Sequence, residues 1–210
     1  MKESNSGERA PQAEIFAVLE RLLGAEAVQV SEQVEKLVAD GQNETALARL
    51  KEYDATLGGI GIYTITDKKP SGIYRAFSYV ENPLRSPGVE NQTRQMVHAS
   101  CAYLEELLKK IVRTWPWEKA IDGKLPLGTL VRRIVKRLPK TLYEDLNWLS
   151  QKICNPAKHH FNMEDDQQEP EHFFTVGEAI AVYLIVRKLG LEVEKLSGKS
   201  IEELQKMYTY

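Results

Sequence analysis

Leu127-Gly128-Thr129-Leu130-Val131-Arg132-Arg133-Ile134-Val135-Lys136-Arg137-Leu138 is the stretch that decides the fold class. Its apolar residues fall at i, i+3, i+4, i+7, i+8 and i+11, which puts them on one face of a helix with 3.6 residues per turn. The four basic side chains lie elsewhere on the cylinder. Downstream, Thr141-x-x-Glu144 has the form of a capping box, in which each side chain satisfies an orphan backbone N–H. The helix it opens carries Leu142, Leu146, Leu149 and Ile153 on its inner row. It runs into Asn155-Pro156, where a proline must stop or kink it.

Two further boxes follow. Thr175-x-x-Glu178 opens a helix with Val176, Ile180, Tyr183, Leu184 and Leu189 inside and Gly190 as C-terminal cap, and Ser200-x-x-Glu203 opens a short closing helix. Upstream, a long helix spans Val89 to Thr114, with Val97, Cys101, Leu104, Leu108 and Ile111 in one row. It ends at Trp115-Pro116, because the residue before proline is pushed out of the helical region. Amphipathic helices with modest connections predict a mainly α protein with an antiparallel bundle over residues 88–210.

Residues 1–87 read as a separate N-terminal helical extension. Three short amphipathic segments carry Ile15, Val18, Leu19, Leu22 and Leu23, then Val30, Val34, Leu37 and Val38, then Leu47, Leu50 and Leu57. Gly24 and Asp40-Gly41 are their stops. These rows suit a small extension, or an arm that packs on a partner. Ile60 to Ile65 and Ile73 to Val80, around the turn Lys68-Lys69-Pro70-Ser71-Gly72, predict a short β-hairpin. Glu81 to Gly88, with two prolines and a glycine, reads as a linker.

The totals exclude several classes. With 28 Lys+Arg against 30 Asp+Glu, the net charge of -2 is neither that of a globally basic nucleic-acid binder nor that of an acidic disordered chain. At 42% apolar, the 210 residues can form an ordinary core. Met1 to Ala10 is polar and lacks the apolar centre of a signal peptide. No apolar run approaches the ~20 residues of a membrane helix. The two cysteines, Cys101 and Cys154, read as thiols in a reducing compartment. A soluble cytoplasmic protein is the expectation.

The chemistry concentrates in Cys154-Asn155-Pro156-Ala157-Lys158-His159-His160, which holds two of the four histidines. Histidine titrates near neutrality and serves as base or acid. A neighbouring lysine can hold a phosphate, and an asparagine can orient an imidazole. Equally, Asn155 can cap a helix C-terminus while Lys158 and His159 offset its dipole. Arg94 and His98 are one turn apart on the long helix and can face one pocket or one solvated surface. Arg132, Arg133, Lys136, Arg137 and Lys140, with Lys109, Lys110 and Arg113, can track a phosphate backbone or meet the acidic loop Glu164-Asp165-Asp166. Cys154, His159, His160 and His172 lack paired metal-ligand spacing, so neither a metal nor any other cofactor is expected. No Gly-rich phosphate loop and no Gly-x-Ser-x-Gly turn is present.

In this order the elements resemble a HEPN-type domain over residues 88–208. The resemblance rests on Arg94-Gln95-Met96-Val97-His98 followed by Tyr103-Leu104-Glu105-Glu106-Leu107-Leu108-Lys109, on Leu125-Pro126-Leu127-Gly128, and on Asn155-Pro156-Ala157-Lys158-His159. It continues through Phe174-Thr175-Val176-Gly177-Glu178-Ala179-Ile180 and Arg187-Lys188-Leu189-Gly190. That family consists of small helical bundles that usually dimerise. Active members are metal-independent endoribonucleases in toxin–antitoxin, phage-defence and CRISPR settings, and others bind nucleotides, RNA or protein. The active motif is Arg, a polar residue, three variable residues, then His. Placing its His on His159 puts the polar residue on Asn155 and the Arg on Cys154, a departure. The resemblance implies an RNA- or nucleotide-engaging homodimer. In it His159, Asn155 and Lys158 are catalytic, and Arg94, His98, Arg132, Arg133, Lys136 and Arg137 bind RNA or nucleotide. The alternative is a catalytically inactive interaction module whose N-terminal helices hold a protein partner.

Overall fold

The computed structural model describes residues 10–58, 76–113, 115, 125–159, 174–199 and 203, and all of its regular elements are helical. The first three are α1 (Gln12–Leu23), α2 (Ala25–Ala39) and α3 (Asn43–Leu57), followed by α4 (Ser78–Arg85) and α5 (Thr93–Arg113). The others are α6 (Leu127–Arg133), α7 (Lys140–Leu149), α8 (Asn155–His159) and α9 (Val176–Lys195). A 3₁₀ turn, Val89–Gln92, leads into α5, and a turn of π-helix, Ser150–Cys154, joins α7 to α8.

Helix α9 is the centre. Ala179 to Val186 are all 0% exposed, so over these two turns no face of it meets water. A helix apolar all round is a core helix, and α1, α2 and α5 pack against this one. Helix α9 opens with the predicted capping box. Glu178 N–H donates to Thr175 Oγ1 at 3.1 Å, and Thr175 N–H donates to Glu178 Oε2 at 2.7 Å. Gly190 does not cap it; α9 continues to Lys195. Gly190 faces Leu107 and Tyr103 of α5, where a Cβ would make ordinary contacts at 3.4 and 3.6 Å.

The three N-terminal helices form as their spacing predicts. Gly24, at φ +84°, separates α1 from α2 in a conformation that side-chain-bearing residues avoid. Ile15, Leu19, Val30, Val34 and Leu50 are 0% exposed and belong to the same apolar core as α5 and α9.

Other expectations need correction. The segment expected as a linker after Glu81 is helical through Arg85, with Pro83 inside α4. Burial of Val80 and Leu84 against α3 and α5 outweighs the hydrogen bond that proline forfeits. The expected return strand is not formed at its described end, where Ala76 and Phe77 are in a turn and Ser78 to Val80 open α4; the rest of the hairpin lies outside the described residues. The helix at Leu127 ends at Arg133 and a 3₁₀ turn follows, which rotates Val135 off the inner face to 38% exposure. The Thr141–Glu144 box does not form. Pro139, with extended backbone, takes the N-cap position, so Thr141 is already helical. The third box, at Ser200, lies outside the described residues. Among the described residues, no helix is long and apolar enough to cross a membrane.

Candidate functional site

The row Leu142, Leu146, Leu149, Ile153 is buried throughout, and it keeps α7 and the π turn on the core. The chain then kinks rather than stops. Asn155 N–H donates to the carbonyl of Ser150, five residues back, which is the π pattern. Pro156 has no N–H for the carbonyl one turn behind it, Lys152, and that carbonyl accepts from Ala10 N–H at 3.1 Å. Ala157 continues the buried row, while Asn155 and Lys158 are exposed. Gln151, Cys154, Asn155 and Lys158 thereby face the same side. Such π turns recur at functional sites because the extra residue re-aims the side chains that follow.

That side is one wall of a cleft of about 600 Å³, closed by α5 and α6. Helix α5 contributes His98, Cys101, Ala102 and Glu105, and the start of α6 contributes Gly128, Thr129 and Arg132. Gly128 lets α6 sit against the π turn, since a Cβ there would lie 2.6 Å from Ser150 Oγ.

The floor holds a further correction. Cys101 and Cys154 are joined by a disulfide, with Cα atoms 5.8 Å apart, and are not the two thiols expected from their spacing. Two cysteines 53 residues apart signalled no framework; helix packing brings them together. While the bond is closed, Cys154 has no thiolate to offer a metal or to act as a nucleophile. Among the described residues, no group of three His, Cys, Asp or Glu side chains could hold a metal.

The predicted site residues divide. His98, Arg132, Asn155 and Lys158 line the one cleft. Arg94 does not line it. Its Nε donates to the carbonyl of Ala157 at 3.1 Å, pinning α8 to α5. Arg133, Lys136 and Arg137 are exposed away from the cleft. The backbone of His159 closes α8, and its side chain lies outside the described residues, as do His160, His172 and the acidic loop.

Lys109, counted with the basic surface, is 3% exposed and bonded to Glu105 at 2.6 Å and Glu106 at 3.0 Å. Burial pulls its pKa down, but these two carboxylates outweigh burial and hold the ammonium above its ordinary range. The other oxygen of Glu105 accepts from Leu127 N–H at 2.9 Å, at the start of α6. Glu105, the one acidic side chain on the cleft wall among the described residues, is therefore committed to a cation and a helix end. Arg132 and Lys158 leave the cleft mouth cationic within a chain of net charge -2.

Sequence reasoning missed Thr129, Asn147 and Gln151 as lining residues. Gln151 had a legible signal, lying one turn before Asn155 on the same helical row. Thr129 had none, because only the approach of α6 to the π turn brings it there. Comparison with known proteins finds no family model, no curated protein and no solved structure that matches this chain.

Proposed function

We propose that this protein is a HEPN-like, RNA- or nucleotide-engaging domain whose ligand phosphate enters the cleft between α5, α6 and the π turn. One observation carries this reading. Four residues singled out from sequence on three separate helices, His98 on α5, Arg132 on α6, and Asn155 and Lys158 on α8, converge on a single cleft of about 600 Å³. Cavities of this size hold small ligands, and cations with an amide and an imidazole are the donors a phosphodiester needs. In the cleaving version of the domain, His159 acts as general base or acid, Asn155 orients it, Lys158 holds the phosphate, and no metal takes part. The family arginine that would stabilise developing phosphate charge is replaced by Cys154, held in its disulfide. That favours binding with slow cleavage over fast turnover. By analogy alone, the setting is a cytoplasmic homodimer in bacterial defence or a toxin–antitoxin pair.

The test pairs binding with cleavage. A short single-stranded RNA should bind with a log–log salt slope of about -1.4, from two phosphate contacts at roughly 0.7 each. Arg132→Gln should reduce that slope by about 0.7, while Arg133→Gln, outside the cleft, should leave it alone. Cleavage with EDTA present should vanish in His159→Ala. Absence of any RNA or nucleotide binding would transfer the weight to a second reading, an inactive protein-interaction module. The disulfide at the arginine position favours that alternative, and a pull-down unaffected by His159→Ala would support it.

A further inference from the structure

The disulfide is not sealed in the core. Cys101 is 5% exposed, Cys154 is partly exposed, and both sulfur-bearing residues line the cleft. Around them stand His98, three residues before Cys101 on α5, Lys158, four residues after Cys154, and Arg132 on α6. Glu105 also lines the wall, but it is bonded to Lys109 and to Leu127 N–H. Among the described residues, an approaching anion therefore meets two exposed cations, Arg132 and Lys158, and one carboxylate that is already bonded. Thiol–disulfide exchange proceeds by attack of an anion, the thiolate, on sulfur, and it releases another. Access and local positive charge are the two conditions that separate exchangeable cystines from inert ones.

We propose that Cys101–Cys154 is a thiol–disulfide exchange site, and that its substrate class is a small thiol carrying a second anionic group. The thiolate attacks Sγ of Cys154, the more exposed of the two residues. The Cys101–Cys154 bond breaks, and the electron pair leaves on Cys101 Sγ, which takes a proton from solvent. The mixed disulfide on Cys154 then has two fates. Cys101 can close back onto it and expel the small thiol. Alternatively a second small thiolate attacks the ligand sulfur, releasing the small-molecule disulfide and leaving the Cys154 thiolate to be protonated. The net change oxidises two small thiols and reduces one protein cystine. Lys158 and Arg132 hold the second anionic group, and the crosslink ties α5 to the last residue of the π turn, just ahead of Asn155 and Lys158 on α8.

The experiment compares two probes on the full chain, 2-mercaptoethanesulfonate and uncharged 2-mercaptoethanol, with rates normalised to thiolate concentration. The readout is the appearance of two alkylatable protein thiols by mass spectrometry, which needs no assay of RNA. At low salt the sulfonate should react about three- to tenfold faster, the preference expected from one or two charges at close range in water. About 0.5 M salt, or the double variant Arg132→Gln/Lys158→Gln, should bring the ratio toward one. Arg133→Gln/Lys136→Gln, outside the cleft, should leave the ratio unchanged. A ratio of one in the native protein, an equal loss in both double variants, or reduction only in denaturant would overturn the proposal. So would two free thiols remaining after treatment with an oxidised thiol. RNA binding that fails while the anion preference holds would sink the proposed function and leave this site standing.

Discussion

Asp54, on the last turn of α3, is 3% exposed and takes two hydrogen bonds on one oxygen, from Tyr183 Oη at 2.7 Å and Arg187 Nε at 2.8 Å. Arg187 is 0% exposed and also donates to the carbonyl of Gly58 at 2.7 Å. Removing one member of a buried ion pair strands the other charge, so Asp54→Ala should cost about 3–5 kcal/mol in urea unfolding. Arg49→Ala, which breaks an exposed pair with Glu26 at 3.8 Å, should cost no more than about 1 kcal/mol. The same network governs alkaline stability. Burial raises the pKa of Tyr103, only partly offset by the charge of Arg187. Burial also raises Tyr183, with Asp54 adding to the effect. The folded state thus keeps protons that the unfolded chain releases near pH ~10. Stability from these two phenols is fully present below that pH and is lost as pH rises above it. Of the nine tyrosines, these two should ionise last by ultraviolet titration, together with unfolding. Tyr103→Phe should flatten the alkaline fall in stability; an unchanged slope would remove Tyr103 from the account.

Among the elements, the two Thr-x-x-Glu motifs look alike on paper and differ in the fold. Thr175 caps α9 with both reciprocal bonds, whereas Thr141 sits inside α7 behind Pro139 and makes no capping bond. Thr175→Ala should therefore cost about 1 kcal/mol, and Thr141→Ala only a few tenths. Equal losses in a denaturant series would show that α7 uses its threonine after all. The contrast marks a limit of motif reading. Pro139, two residues ahead of the expected cap Thr141, takes the N-cap position and moves the helix start forward, and a capping box has meaning only at that start. The π turn is a second case. Pro156 announced a break, but not that the chain would insert one residue and continue, which is what aims Asn155 and Lys158 at the cleft.

Over the whole molecule, α1 to α3 and α5 enclose α9 within one apolar core. Trp148 on α7 donates to Glu14 on α1 at 2.6 Å, so the first and later helices are also tied by a polar contact. Unfolding should accordingly be a single transition, with far-UV dichroism and tryptophan fluorescence coinciding. A fragment of residues 88–210 would uncover the α1 and α2 faces of α9 and should be markedly less stable and prone to aggregate. Two separated transitions in the full chain, or a fragment as stable as the parent, would contradict this coupling.

What the residues determined by themselves was local: the helical class, most helix starts and stops, the buried rows, and the break in the helix at Asn155-Pro156. These follow from periodicity, glycine and proline, whose effects act within a few residues. Tertiary structure alone decided the rest. It paired Cys101 with Cys154, placed Lys109 under two carboxylates and gave Arg94 to a backbone carbonyl. It also separated Arg132 from Arg133, Lys136 and Arg137. A basic run on a helix carries no mark of which member faces a neighbour. That choice depends on where the helix breaks and on how closely a second element approaches, here at Gly128 against Ser150. Burial of Arg187 has the same origin. It lies one turn after Tyr183 on the inner row, and an arginine can occupy that place only because α3 brings Asp54 to meet it.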